Sequence, residues 1–308
     1  MLLLQKEFPN LKSYTLPAYN IKYSKKGKNL KCKLILSVPS IILAVKKERK
    51  IVTQLIEKEN IMGIISDNRF GVWSKKIPSV YITHQLKVFS GITTWITSKI
   101  HQKVISKFDE CWVPDVNGKP NYSGELGHLT NHKFKLKYLG VLSRFKHQKL
   151  DVKYKLLVIF SGPEPQRTLL ENKLLIELKN YKEKVLFVRG ILSSKDKIKD
   201  SSNFKVVNYL LSNDLEKAIN QSEIVIARSG YSTIMDLAVL GKKAFFIPTP
   251  GQFEQEYLAE MLLKKRIAPF ATQENFELDN LKILTNFSGF KRNETNIHLD
   301  FFNLFERK

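Results

Sequence analysis

From Lys155 to Lys265 the chain alternates between short apolar runs and longer helical patterns. The runs "KLLVIFSG", "KVLFVRG", "FKVVNYL", "EIVIAR" and "KAFFIP" are strand-length and rich in Val, Ile and Phe. Between them lie "EPQRTLLENKLLIELKN", "NDLEKAINQS" and "TIMDLAVLG", with "EQEYLAEMLLKK" closing the series. Near-continuous apolar strands separated by helices predict parallel βαβ units, with both faces of the sheet covered.

The first half repeats this alternation less regularly. "SIILAVKKERKIVTQLIEKEN" has helical spacing at Ile42, Val45, Val52, Leu55 and Ile56. "IMGIISD" and "SVYIT" read as buried strands, "TTWITSKIHQKVISKF" as an amphipathic helix and "ECWVPD" as the next strand. The Lys- and His-rich stretch "SRFKHQKLDVKYK" interrupts the pattern, so two domains are expected, 1–147 and 148–308. Cys32 and Cys111 lie too far apart in sequence to suggest a disulfide framework or a metal cluster. "MLLLQKEFPN" is too short in apolar residues for a signal peptide. "LILSVPSIILAV" is too short to span a bilayer and contains Pro39. A cytoplasmic protein is expected.

Three strand-to-helix turns in the second half are polar. In "RSGYSTIMD", Arg228, Ser229, Gly230, Tyr231, Ser232 and Thr233 open a helix. Free N–H groups at a helix N-terminus suit a phosphate, and glycine lets the backbone approach it. Thr233 and Asp236 share one helical face, and an Asp there can accept both hydrogen bonds of a ribose diol. The plainer alternative is a helix cap with an acid complementing the dipole. "VIFSGPEPQRT" makes a similar turn through Ser161 and Gly162, with Arg167 in the opening helical turn and without the Gly-Lys-Ser/Thr ending of a Walker loop. "FFIPTPGQFEQEYLAEML" places Gln255 and Glu256 at a helix start, where amide and carboxylate groups suit sugar hydroxyls. Ligands of doubly wound sheets bind outside the carboxyl ends of the strands, where these turns lie.

The net charge of +22 favours a polyanionic partner. Neither the aromatic-and-glycine signatures of RNA binders nor finger spacings are present, so nucleic acid is not the expected partner.

The stretch "RSGYSTIMDLAVLGKKAFFIPTPGQFEQEYLAEML" resembles the C-terminal domain of family 28 glycosyltransferases. "FSGPEPQRT" and "GVLSR" fit that pattern more loosely, and "IISDNRFGVWSKKIPSVYITHQ" looks like relatives of the same group. The resemblance implies a GT-B architecture: α/β, two Rossmann-like domains with parallel sheets and a cleft between them. It implies transfer of a hexose or N-acetylhexosamine from a nucleoside diphosphate sugar, with UDP the expected nucleotide. Inversion, and no metal or other cofactor, are implied as well. Carried over by position, Arg228 to Thr233 would form the phosphate-facing turn. Asp236 would take the ribose hydroxyls in place of the family's Glu. Gln255 would contact the sugar, and Glu256 would stand where the peptidoglycan enzyme has a second Gln. Leu211 and Ser212 would border the base, with Arg144, Ser161 and Gly162 near the phosphates.

Family members open with a strand and a Gly-rich loop that faces the acceptor. Here "LLLQKEFPNLKSYTLPAYNIKYS" looks instead like a second helix and third strand. The N-terminal domain is therefore expected to be incomplete, through a late start assignment or because a second chain supplies the missing segment. An unpaired strand edge and an exposed apolar face should follow. Without the loop histidine, Asp67 in "SDNRFG" and His84 in "YITHQ" are the candidate general bases. Basic residues crowd Lys22 to Lys50, and Trp95, Lys99 and Lys103 recur along one helix. They suit a peripheral contact with anionic lipid on the inner face of the membrane, and a lipid-linked acceptor. Two other readings remain: a nucleotide-sugar-binding partner subunit or inactive remnant, and a sugar-nucleotide epimerase.

Overall fold

The computed structural model describes residues 2–19, 30–192, 200–295 and 299–306. These fall into two compact units. One comprises residues 143–294 together with the described part of 1–13, and the other comprises the remainder.

In the first unit five strands form one parallel sheet: β5 (Tyr154–Ile159), β6 (Val185–Val188), β7 (Phe204–Val207), β8 (Ser222–Ala227) and β9 (Lys243–Phe246). Their order is β7-β6-β5-β8-β9. The helices α4 (Gln166–Glu177), α5 (Ser212–Asn220), α6 (Tyr231–Leu240) and α7 (Phe253–Lys264) make the crossovers. Leu156, Val158, Leu174, Phe187, Ile226, Phe245 and Phe276 pack into one core. All four residues of β6 are buried, as a parallel strand covered on both faces requires. Helix α6 buries Ile234, Met235, Leu237, Ala238, Val239 and Leu240, so it is apolar nearly all round, the signature of a core helix.

The chain moves outward from β5 to β6 and β7, then returns to β8 on the other side of β5. The switch point therefore lies between β5 and β8, whose ends are level, with Ile159 opposite Ala227.

Residues 143–148 belong to this unit because they are bonded across its helices. Lys146 N–H donates to Glu216 Oε2 on α5, and Gln148 N–H donates to Asn220 Oδ1. The short helix α1 (Leu2–Glu7) also belongs here: Lys6 Nζ donates to Tyr209 OH at 2.8 Å.

In the second unit, β1 (Ile64–Asp67), β2 (Ser79–Ile82), β3 (Glu110–Val113) and β4 (Leu136–Tyr138) form a parallel sheet in sequence order. Helices α2 (Leu30–Lys58) and α3 (Thr94–Ile105) complete it. One core holds Tyr81, Leu86, Ile105, Phe108, Cys111 and Val113. A second joins Val80, Trp112 and Leu139 to Phe301, Leu304 and Phe305 near the end of the chain. Glu48 on α2 is fully buried; it accepts from Arg69 Nε, from Tyr19 OH and from Gly71 N–H. β1 is an edge strand, and its Ile65 is 47% exposed. The third strand expected near the start does not form over residues 12–19; the rest of that stretch lies outside the described residues. Among the described residues no helix is long and apolar enough to cross a membrane.

Candidate functional site

The three polar turns emerge from three neighbouring strands. Ser161 and Gly162 follow β5, Arg228 to Gly230 follow β8, and Pro248 to Gln252 follow β9. Neighbouring strands lie about 5 Å apart, so the turns meet at one edge of the sheet.

Arg228 organises this edge from within. It is 1% exposed, although the sequence reading placed it against the ligand. Its Nη1 donates to the carbonyls of Ile247 and Pro248, both at 2.9 Å. Its Nη2 donates to the Gln166 carbonyl at 3.0 Å and to Gln273 Oε1 at 2.6 Å. Burial lowers its pKa to about 10. One guanidinium thus ties the β9–α7 turn to the start of α4. Ser229 is fully buried too, and its hydroxyl donates to the Gln255 carbonyl at 2.7 Å. Arg167 is likewise turned inward, bonded to Glu164, Glu171 and the Arg189 carbonyl.

Gly230 is different. Its φ of −72° is open to any residue, so backbone strain does not require glycine. A Cβ placed there would meet no protein atom within 4 Å. The room in front of Gly230 is therefore not filled by protein. Helix α6 opens on it without a side-chain cap. The Tyr231 side chain is buried, Ser232 is exposed and Thr233 is half-buried on this first turn. Ser161 and Gly162 are exposed beside it, Gly162 in the left-handed region at φ +102°.

Asp236 lies one turn further along α6. Ser143 Oγ donates to its Oδ1 at 2.5 Å. Burial raises its pKa to about 6, against the lowering effects of Ser143 and of the Arg144 charge. Arg144 is exposed, and its guanidinium lies 4.9 Å from the centre of the Phe145 ring. Leu211 and Ser212 are half-buried at the start of α5. Ser212 N–H donates to Glu7 Oε2 at 3.2 Å, and this contact with Ser212 holds the Glu7 carboxyl below its usual pKa. Gln255 Oε1 accepts from Thr249 N–H, and Glu256 Oε1 accepts from Gly251 N–H, both at 2.8 Å. Both side chains therefore brace the β9–α7 turn.

Asp67 and His84 lie in the other unit, at the carboxyl ends of the neighbouring strands β1 and β2. Burial raises the Asp67 pKa while the nearby His84 charge lowers it, so the two are close enough to interact. Tyr81 OH is 3.0 Å from His101 Nε2 and 3.4 Å from Asn68 Oδ1, and burial lowers the His101 pKa to about 4. Neither Tyr81 nor His101 stood out in sequence, because a polar residue in an apolar strand and a helix histidine carry no motif. Among the described residues no group of three or more His, Cys, Asp or Glu could hold a metal ion.

Residues 157–286 match the glycosyltransferase family 28 C-terminal domain. The likeness to family 28 is thus carried by the β5–β9 unit. It is 24% identical over 270 residues to the UDP-N-acetylglucosamine–N-acetylmuramyl-(pentapeptide) pyrophosphoryl-undecaprenol N-acetylglucosamine transferase of Buchnera aphidicola subsp. Schizaphis graminum, covering 82% of this chain and 70% of that protein. The namesake from Haemophilus ducreyi is 24% identical over 208 residues, covering 65% of this chain and 55% of its own length. Among solved structures, Acinetobacter baumannii MurG shares the fold, with a TM-score of 0.54 at 12% identity, covering 99% of this chain and 87% of that one. The matched family 28 segment runs from β5 to just beyond α7 and so contains all three polar turns.

Proposed function

We propose that this chain transfers a hexose or N-acetylhexosamine from a UDP-sugar to an acceptor hydroxyl with inversion. The observation that carries this reading is the open start of α6, where Gly230 leaves room that no protein atom fills. The N–H groups there, with the Ser161–Gly162 turn and Arg144, stabilise the departing diphosphate. Asp236 accepts the ribose hydroxyls through Oδ2, since Oδ1 already accepts from Ser143. The free amide end of Gln255 meets the sugar. In the transfer the acceptor oxygen attacks the anomeric carbon, the bond to the diphosphate oxygen breaks and UDP leaves. Asp67 or His84 takes the acceptor proton.

The acceptor we favour is lipid-linked, as the relatives' names state for them. Helix α3 supports this with exposed Trp95, Ile96 and Ile100 beside exposed Lys99 and Lys103, and with exposed Ile92 in the turn before it. Apolar and basic residues on one face suit a peripheral contact with an anionic membrane, which would place the protein on the cytoplasmic side. Among the described residues β1 pairs on one side only, which favours a second chain that adds a strand there.

Calorimetric titration with UDP and UDP-sugars, beside an Asp236→Ala variant, tests the donor site. Binding by the parent and its loss in the variant is the expected result. A folded parent that binds no nucleotide would end this reading.

A further inference from the structure

Thr249 sits in the turn between β9 and α7 and is 1% exposed. Its backbone is fully engaged: its N–H donates to Gln255 Oε1, and its carbonyl accepts from Gln252 N–H at 3.0 Å. Its hydroxyl has no hydrogen-bond partner. A buried hydroxyl without a partner is costly, and a methyl in its place would not be. The protein therefore keeps a polar group where its own fold does not use one.

The surroundings indicate what does use it. A Cβ built on Gly162 would meet one atom within 4 Å, Thr249 Oγ1 at 3.9 Å. The hydroxyl thus lies next to the exposed Ser161–Gly162 turn. The amide end of Gln255 lies in the same brace, because its other end holds Thr249 N–H. The open start of α6 belongs to the same sheet edge, and the buried Arg228 fixes the Pro248 carbonyl just before Thr249. The hydroxyl is held in place by its backbone, lies at the ligand-facing edge and lacks a partner.

We propose that the Thr249 hydroxyl hydrogen-bonds the transferred sugar of the donor and discriminates UDP-sugar from UDP. This rests on the donor-site reading above and extends it to a residue that the family pattern did not single out. Donor binding shifts the Ser161–Gly162 turn and supplies the missing partner. The free protein carries the unpaired hydroxyl, and the complex does not.

The test compares Thr249→Val and Thr249→Ser with the parent by thermal melting and by calorimetry with UDP, UDP-glucose and UDP-N-acetylglucosamine. Thr249→Val keeps the shape and removes the hydroxyl. Its melting temperature in the absence of nucleotide should equal or exceed that of the parent. Its affinity for the preferred UDP-sugar should fall about threefold to tenfold, while UDP affinity stays unchanged. Thr249→Ser should retain the UDP-sugar preference. A lower melting temperature with unchanged affinities would make Thr249 structural and overturn the inference. Equal losses for UDP and UDP-sugar would overturn the assignment to the sugar. A folded parent that binds neither UDP nor any UDP-sugar overturns the donor-site reading itself, which separates that failure from the others.

Discussion

Ser143 Oγ lies 2.5 Å from Asp236 Oδ1, joining residues 93 positions apart and pointing the second carboxyl oxygen away from the bond. Burial lifts the carboxyl pKa from 3.8 to about 6. The folded chain thus holds this proton up to about pH 6, while the unfolded chain releases it near pH 4. The group favours folding below about pH 4, and that contribution is lost as pH rises to about 6. Asp236→Asn should remove this step and stabilise the protein at pH 7 by about 2 kcal/mol, read from urea midpoints. Ribose hydroxyls need the ionised carboxylate, so UDP affinity should rise between pH 5 and 7.5 in the parent and stay flat in the variant. A parallel rise in both would remove Asp236 from the ribose.

Arg228→Met should act on stability. It leaves the carbonyls of Ile247, Pro248 and Gln166 and the Gln273 amide oxygen without their buried donor. A loss on the order of 4 kcal/mol is expected in denaturant melts. UDP affinity measured where the variant remains folded should stay near that of the parent. A large affinity loss with intact stability would return Arg228 to the ligand.

Asp67 and His84 are the two proposed bases, and the transfer of one acceptor proton needs one of them. Replacing it, by Asp67→Asn or His84→Ala, should lower turnover by about a hundredfold or more and leave UDP binding intact. The raised pKa of Asp67 places the acid limb of the rate profile higher than for an exposed aspartate if Asp67 is the base. Full turnover in both variants would exclude the pair.

Helix α3 should carry membrane contact. Trp95→Ala and Lys99→Glu should each reduce association with anionic vesicles, the second by about fivefold or more at low salt, with added salt shrinking that difference. Flotation unchanged by either substitution would dismiss α3 as the contact.

Glu7 occupies the Ser212 amide that a nucleobase would border. Glu7→Gln weakens that contact, so UDP affinity should rise severalfold in calorimetry. An unchanged value would mean that the base binds elsewhere.

The sequence by itself determined the series of strands and helices from Lys155 to Lys265, and it placed polar turns after β5, β8 and β9. Both features are local: a period of apolar residues and a break in it can be read within a few positions. Only the tertiary structure decided which polar side chains look outward. Arg228 and Ser229 read as ligand contacts in sequence, yet the side chain of each is bonded to backbone carbonyls of other segments. Thr249 carried no motif, and only the folded chain brings its unpaired hydroxyl beside the Gly162 turn. Residues 143–148 and α1 joined the β5–β9 unit through bonds to α5, α6 and Tyr209, which no local pattern encodes. Periodicity fixes elements because it acts along the chain. The direction of a polar group at a strand end depends on the unpaired backbone that neighbouring strands present there, and that is settled only when the sheet is assembled.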